Sequence, residues 1–358
     1  MANRRSIKRK KRHITIEDIV RYLDLSKATV SLALNNNPVV AEATRQRVRE
    51  AADKFGYRPN YFGKRLSKGK SDMIGLYILG GTAEQCNWAR PSSWMFYNPI
   101  LKAVSSELSQ HGYRFNLEVI SVEQATEEQI ISSVIQEGSL DGMLLVVQDD
   151  IDYGFLKVVE ESRFPFVVLN LNVAESISSV TIDNELGARK VVEHLVELGH
   201  RRIAYISGPP QDSNANERKI GFLAAAYEAG LEVNPELIHY GNWERSSGWE
   251  IAKLLMELES PPTAIFCAND HMAIGAIQML QTEGIRIPQD ISIVGYDDTE
   301  LGQVVVPHLT TVFQPLGLMG ELGAKEVLRQ LDEESPEPVH LSLEPEVVLR
   351  ESTACITG

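Results

Sequence analysis

Apolar residues at Ile16, Ile19, Val20 and Leu23 recur at helical spacing, and Thr15 followed three residues later by Asp18 makes a capping-box start. A first helix of about eight residues is expected there. Asp24 and Leu25 form a short turn, and Ser26 can cap a second helix. Val30, Ala33 and Leu34 give that helix its apolar side, while Lys27, Ala28, Thr29, Ser31 and Leu32 face elsewhere. A third helix is expected from about Glu42 through Val48, Ala51, Ala52 and Phe55, with Gly56 as its left-handed stop. The result is helix, tight turn, helix and a third helix around a minimal core.

After Lys70 the rhythm becomes strand, helix, strand. Apolar runs at 73–79, 115–120, 142–147, 165–169, 203–206, 264–267 and 291–294 alternate with helical segments at 98–111, 185–198, 215–229, 246–258 and 271–283. That alternation predicts parallel sheets with helices packed on them. The units are too many for one doubly wound sheet, and Asp183–Asn184 marks where a second set begins, so two similar lobes with a cleft are expected.

Length and charge divide the chain the same way. With 358 residues it should hold two to three domains at about 150 residues each. At 43% hydrophobic, 23% charged and 7% aromatic residues, it has the composition of ordinary water-soluble domains. The formal charge of -14 hides a partition. Residues 1–70 carry 18 Lys and Arg against six Asp and Glu, leaving 17 against 43 for the rest. An acidic body with one basic end fits a nucleic-acid-binding headpiece on a larger domain that repels phosphate. Seven of the first 12 residues are Lys or Arg with almost nothing apolar among them, which is expected to be a disordered arm. Cys86, Cys267 and Cys355 are far apart and form no C-x-x-C, so neither a disulfide framework nor a thiolate zinc site is expected. No run of 18 apolar residues occurs, which argues against a spanning segment and for the cytoplasm.

At this point three stretches coincide. Residues 14–19 (ITIEDI), 25–35 (LSKATVSLALN) and 57–60 (YRPN) resemble the lactose/galactose repressor (LacI/GalR) family, in order and in spacing. The likeness continues through 199–206 (GHRRIAYI), 218–222 (RKIGF), 268–270 (AND), 290–298 (DISIVGYDD) and 309–312 (LTTV), covering about residues 14–352. It implies a helix-turn-helix headpiece joined to a two-lobed α/β effector domain of the periplasmic-binding-protein type. Its implied divisions are a basic arm at 1–13, a DNA-binding domain at 14–59, a hinge helix and linker at 60–71, and an effector-binding and dimerisation domain at 72–358. Within the last, lobe one is expected at about 72–182 and 316–340, and lobe two at 183–315 and 341–358, with crossings near 183, 315 and 341.

By the same resemblance the second helix lies in the major groove. Lys27 would donate to guanine, Ala28 could offer only apolar contact, and Thr29 and Ser31 would reach phosphate or base unless they serve only as backbone caps. Leu32 stands where many members have a long basic residue, so one guanine contact should be missing. Asn60 begins the hinge, and Leu66 is the expected wedge between base steps, with a plain linker role as its alternative. Gly63, in place of the usual Ala, weakens that hinge by about 1 kcal/mol.

The implied effector residues are Arg218, Trp243, Asn269 and Asp297, with Asn170 where some sugar-binding members have an acid. Their chemistry suits a polyhydroxylated ligand: Asp297 accepts from hydroxyls, Arg218 donates from a planar fork, Asn269 does both, and Trp243 presents an apolar face. Arg218 and Asp297 could instead only bridge the lobes, and Trp243 could be core. Leu316 replaces an aromatic of some members. Residues 80–98 form a long connection with Trp88, Trp94, Phe96 and Tyr97, expected as a lid or as self-packed surface. No phosphate loop, no nucleophile–base constellation and no metal-ligand spacing at His13 or His200 emerges, so no cofactor, metal or enzymatic role is expected. The reading is a homodimeric transcriptional regulator of the repressor type, which binds double-stranded operator DNA under control of a small sugar. Its alternative is a solute-binding protein or nucleotide-dependent enzyme on the same lobes.

Overall fold

The computed structural model describes residues 14–34, 36–57, 70–79, 91–120, 134–136, 138–147 and 154–356. It divides into two units, Met1–Lys70 and Ser71–Gly358. The basic arm, the hinge with Asn60, Gly63 and Leu66, and the first part of the expected lid lie outside the described residues.

In the first unit α1 (Ile16–Leu23), α2 (Lys27–Leu34) and α3 (Glu42–Phe55) enclose Ile19, Val30, Ala33, Val48, Ala51 and Ala52. The expected signals set the ends. Asp18 accepts from the Thr15 backbone N–H at 2.9 Å and from its hydroxyl at 3.0 Å. Asp24 is left-handed after α1, Ser26 accepts from the Thr29 N–H at 3.0 Å, and Gly56 closes α3 at a φ of 65°. Ala41 caps α3 with no side-chain hydrogen bond, a deficit of about 0.5–2 kcal/mol against Ser.

The second unit contains two parallel sheets. The first has six strands: β1 (Met73–Leu79), β2 (Arg114–Ile120), β3 (Gly142–Val147), β4 (Phe166–Leu169), β5 (Ser179–Ile182) and β11 (His340–Leu343), in the order β11-β5-β4-β3-β1-β2. Alternation sends its residues to two cores. Ile74, Leu76, Leu144, Val146, Val167 and Leu169 meet α4 (Pro91–Gln110) and α11 (Leu316–Asp332), while Tyr77, Leu79, Met143, Leu145 and Val168 meet α5 (Gly154–Ser162). The second sheet, β7-β6-β8-β9, is built from β6 (Ile203–Ser207), β7 (Ile238–Tyr240), β8 (Ala264–Cys267) and β9 (Ser292–Val294). Around it pack α6 (Asn184–Glu197), α7 (Ser213–Glu228), α8 (Arg245–Met256) and α9 (Asp270–Thr282), followed by the short α10 (Glu300–Val304). A two-stranded antiparallel ribbon joins β10 (Thr311–Phe313) to β12 (Glu346–Val348).

Two boundaries differ from expectation. The third crossing was expected at 341, but β11 pairs with β5 through Leu343, so residues 341–343 belong to the first sheet. Helix α4 was expected from 98, with Pro99 in its first turn, but it begins at Pro91 and runs through Pro99. The apolar face explains this. Tyr97, Ile100, Val104 and Leu108 are all buried at helical spacing, and packing the turn before the proline outweighs the lost i→i−4 bond. Trp94, Phe96 and Tyr97 therefore sit on a helix rather than in a loop.

Candidate functional site

In open α/β sheets ligands gather beyond the carboxyl ends of the strands. Every candidate effector residue except Arg218 lies just there: Asn170 follows β4, Trp243 follows β7, Asn269 follows β8 and Asp297 follows β9. Three of the four have positive φ, at 66° for Asn170, 69° for Trp243 and 115° for Asp297. Such backbone costs a bulky L-residue energy that the surrounding fold must offset, and it concentrates at ligand sites.

Arg218 projects from α7 and is buried. Its Nε donates to Asn184 Oδ1 at 2.8 Å and one terminal nitrogen donates to the Ala268 carbonyl at 2.5 Å. That nitrogen also lies 3.7 Å from Asp297 Oδ1. The guanidinium carbon stands 3.8 Å over the Tyr296 ring and 5.7 Å from Trp243. Two of its nitrogens are thus engaged by protein, and the fork is less free for a ligand than the sequence suggested. Asp297 accepts from Gln314 Nε2 at 2.6 Å. Burial pushes its carboxyl up to about 8, against the opposing pull of Arg218.

Asn269 differs from expectation. Its Oδ1 caps α9 by accepting from the Met272 N–H at 2.9 Å, and its Nδ2 donates to the Trp243 carbonyl at 2.9 Å. Each polar atom already has a protein partner, because a strand-to-helix turn leaves N–H groups to be satisfied. Asn269 therefore holds the left-handed Trp243 in place. The indole is half-buried and lies over Gly208, where a Cβ would come within 2.2 Å of the ring. The neighbouring acids are structural: Asp270 accepts from Thr299 and Thr311, and Asp298 pairs with Arg350. Burial raises the Asp270 carboxyl to about 6.

Asn170, on the other lobe, is 4% exposed, and its Nδ2 is buried without a hydrogen-bond partner. A buried orphan donor costs about 1–3 kcal/mol. Gln314 Oε1 is a second buried orphan, an acceptor beside Asp297. The lobes meet where Asn172 and Asn184 both donate to Glu217, at 2.8 and 3.0 Å, and where His271 Nε2 lies 3.4 Å from Met95 Sδ. Gln314, Asn184 and Glu217 were not singled out from sequence as site residues. Gln314 follows a three-residue strand, and no periodicity or spacing marks it.

In the headpiece, α2 exposes Lys27, Ala28 and Leu32, as its apolar pattern required. Thr29 is engaged by Ser26 through its N–H and through its hydroxyl at 2.8 Å, so its side chain acts first in the cap. Ser31 is half-buried. Lys27 Nζ pairs with Glu17 Oε1 at 2.8 Å, a residue the sequence reading passed over. Among the described residues no helix is long and apolar enough to cross a membrane.

Comparison with known proteins matches these two units. Residues 15–60 fit the model for bacterial regulatory proteins of the lacI family, and residues 192–353 fit that for a periplasmic binding protein-like domain. The chain is 31% identical over 345 residues to a probable HTH-type transcriptional repressor, ExuR, of Bacillus subtilis, covering 96% of this chain and 99% of the relative. It is 31% identical over 348 residues to the HTH-type regulator CelR of Thermobifida fusca, covering 96% and 99%. Among solved structures, a CelR–cellobiose complex aligns with a TM-score of 0.70 at 32% identity, covering 95% of this chain and 99% of that one. A lac repressor dimer bound to operator and the anti-inducer ONPF aligns with a TM-score of 0.82 at 26% identity, covering 96% and 100%.

Proposed function

The chain belongs to the LacI family of bacterial regulatory proteins, and from that premise we propose that it is a homodimeric transcriptional repressor whose hold on operator DNA is set by a small sugar in the interlobe cleft. One headpiece offers only a short reading helix, and two present a pair of helices to successive major grooves. In this reading Lys27, Ala28 and Leu32 face the bases, Ser31 and Thr29 lie beside phosphate, and Asn60 and Leu66 belong to a hinge that enters the minor groove. Arg218, Asp297, Trp243 and Asn170 contact the effector, and Asn269 positions Trp243. The protein works in the cytoplasm and has no catalytic step.

The observation that best supports a polyhydroxylated effector is the buried, unpartnered Nδ2 of Asn170. A hydroxyl oxygen satisfies it without bringing charge, while the Asp297–Gln314 pair on the facing lobe supplies acceptors for hydroxyl protons. A panel of neutral mono- and disaccharides, sugar acids and nucleosides, followed by thermal shift of the full chain, tests this. A neutral sugar should raise the melting temperature in a concentration-dependent way. Stabilisation by nucleosides alone would overturn the sugar assignment.

A further inference from the structure

Lys27 is the first residue of α2, whose first turn contains no acidic side chain. A cation there faces the positive end of the helix dipole. Its counter-charge comes from another helix, where Glu17 Oε1 accepts from Lys27 Nζ at 2.8 Å. The two side chains are 67% and 52% exposed, so the pair adds little to stability. Its position is what matters. Lys27 shares the outward side of α2 with Ala28 and Leu32, which puts a carboxylate on the side of the headpiece that reads DNA. Hydrogen bonding draws Glu17 below the usual carboxylate range and Lys27 above the usual ammonium range, so both are charged together at neutral pH.

We propose that Glu17 and Lys27 read one G·C base pair as a unit, with Lys27 Nζ donating to guanine O6 or N7 and Glu17 accepting from the cytosine N4 amino group. The inference rests on the DNA-binding reading above. A G·C pair shows an acceptor and a donor side by side in the major groove, joined by a hydrogen bond of about 2.9 Å. The ion pair offers the complementary donor and acceptor at 2.8 Å. An ammonium has three protons and a carboxylate two oxygens, so base contacts form without breaking the Glu17–Lys27 bond. At an A·T pair the carboxylate would also meet thymine O4, an acceptor facing an acceptor. The pair is neutral overall, which removes the attraction that would draw a lone Lys27 to any phosphate. Glu17 thus exchanges affinity for all DNA for preference at one position.

The test is selection from a randomised half-site library by the full-length protein, with salt titrations on the winning site. The wild type should fix one G·C position per half-site. Glu17→Ala should lower discrimination there by about tenfold, leave the other positions alone, and steepen log K against log salt by about 0.9 per subunit as Lys27 finds a phosphate. Glu17→Gln, which keeps the shape, should show the same loss of preference. Lys27→Gln should erase the preference, and adding Glu17→Ala to it should change nothing further. Unchanged preference in both Glu17 variants, additive losses in the double variant, or A·T at that position would overturn the inference. A wild type that enriches no sequence would overturn the DNA-binding reading along with it.

Discussion

Asn170 combines a left-handed backbone with a buried amide nitrogen that no protein atom satisfies. Such residues cluster at ligand sites, and on that ground Asn170 is assigned to the proposed effector contact. Asn170→Ala should therefore lower effector affinity by about tenfold, one lost hydrogen bond of roughly 1–1.5 kcal/mol. Ligand-free stability in urea should not fall, because the substitution removes a buried donor whose lack of a partner costs the folded state about 1–3 kcal/mol. Calorimetric titration with the stabilising sugar checks the first part; equal affinity would exclude Asn170 from the site. Asp297 makes a complementary prediction. Its carboxyl, raised to about 8 by burial, lies above its value of about 3.9 in the unfolded chain. Between these values the native state binds the extra proton, so its contribution to stability is fully present below pH 4 and is lost as pH rises towards 8. Asp297→Asn, neutral throughout, should gain on the wild type as urea unfolding is repeated from pH 5 to pH 8. A gap moving the other way would mean that Asp297 is ionised and held by Arg218.

Elements were legible wherever the apolar run was unbroken. Gly142–Val147 and Ala264–Cys267 coincide with the strands expected from their apolar runs. The strands at Ser179–Ile182, Ile238–Tyr240 and His340–Leu343 were missed because Ser, Thr and His interrupt their short apolar runs and their pairing depends on distant segments. The resemblance pointed to residues that stand at the strand ends, but not to their wiring. Nothing in the spacing shows that Asn269 is consumed by Trp243 and Met272, or that Glu17 meets Lys27. Helix packing was equally hidden. At the crossing of α8 and α9, a Cβ on Gly248 would come within 2.0 Å of the Met272 carbonyl, and one on Gly275 within 2.0 Å of the Arg245 carbonyl. Backbone stands in the way on both sides, so neither helix can yield by turning a side chain. Gly248→Ala should cost about 1–3 kcal/mol in urea unfolding. A neutral result would show that the two helices slide freely.

For the whole molecule, charge and cleft act at different ends of one chain. The first 70 residues carry 18 basic against six acidic residues and attract DNA, whereas the rest, with 17 basic against 43 acidic, is repelled by it. An effector can alter operator affinity only through unequal affinity for two arrangements of the lobes, and that coupling is reciprocal. Operator DNA should change sugar affinity by the same factor as sugar changes operator affinity, typically about 5- to 150-fold. Measuring both legs on one preparation checks this, and a factor near one on both legs would mean that the sugar does not control operator binding.

The pairing of β11 with β5 has a consequence for synthesis. The first sheet is largely made from residues before 183, yet its last strand is His340–Leu343. As the chain leaves the ribosome at about 5–20 residues per second, β5 waits with an open edge while some 160 further residues emerge. The headpiece contains all of its own core and has no such wait. A chain stopped after Pro345 keeps that edge covered and loses only the β12 ribbon and the Arg350 and Ser352 contacts of the second lobe, so it should aggregate less than one stopped after Glu337, which lacks these as well as β11; sedimentation of the two after expression distinguishes them. The interval between those two residues decides what fraction of nascent chains survives to fold.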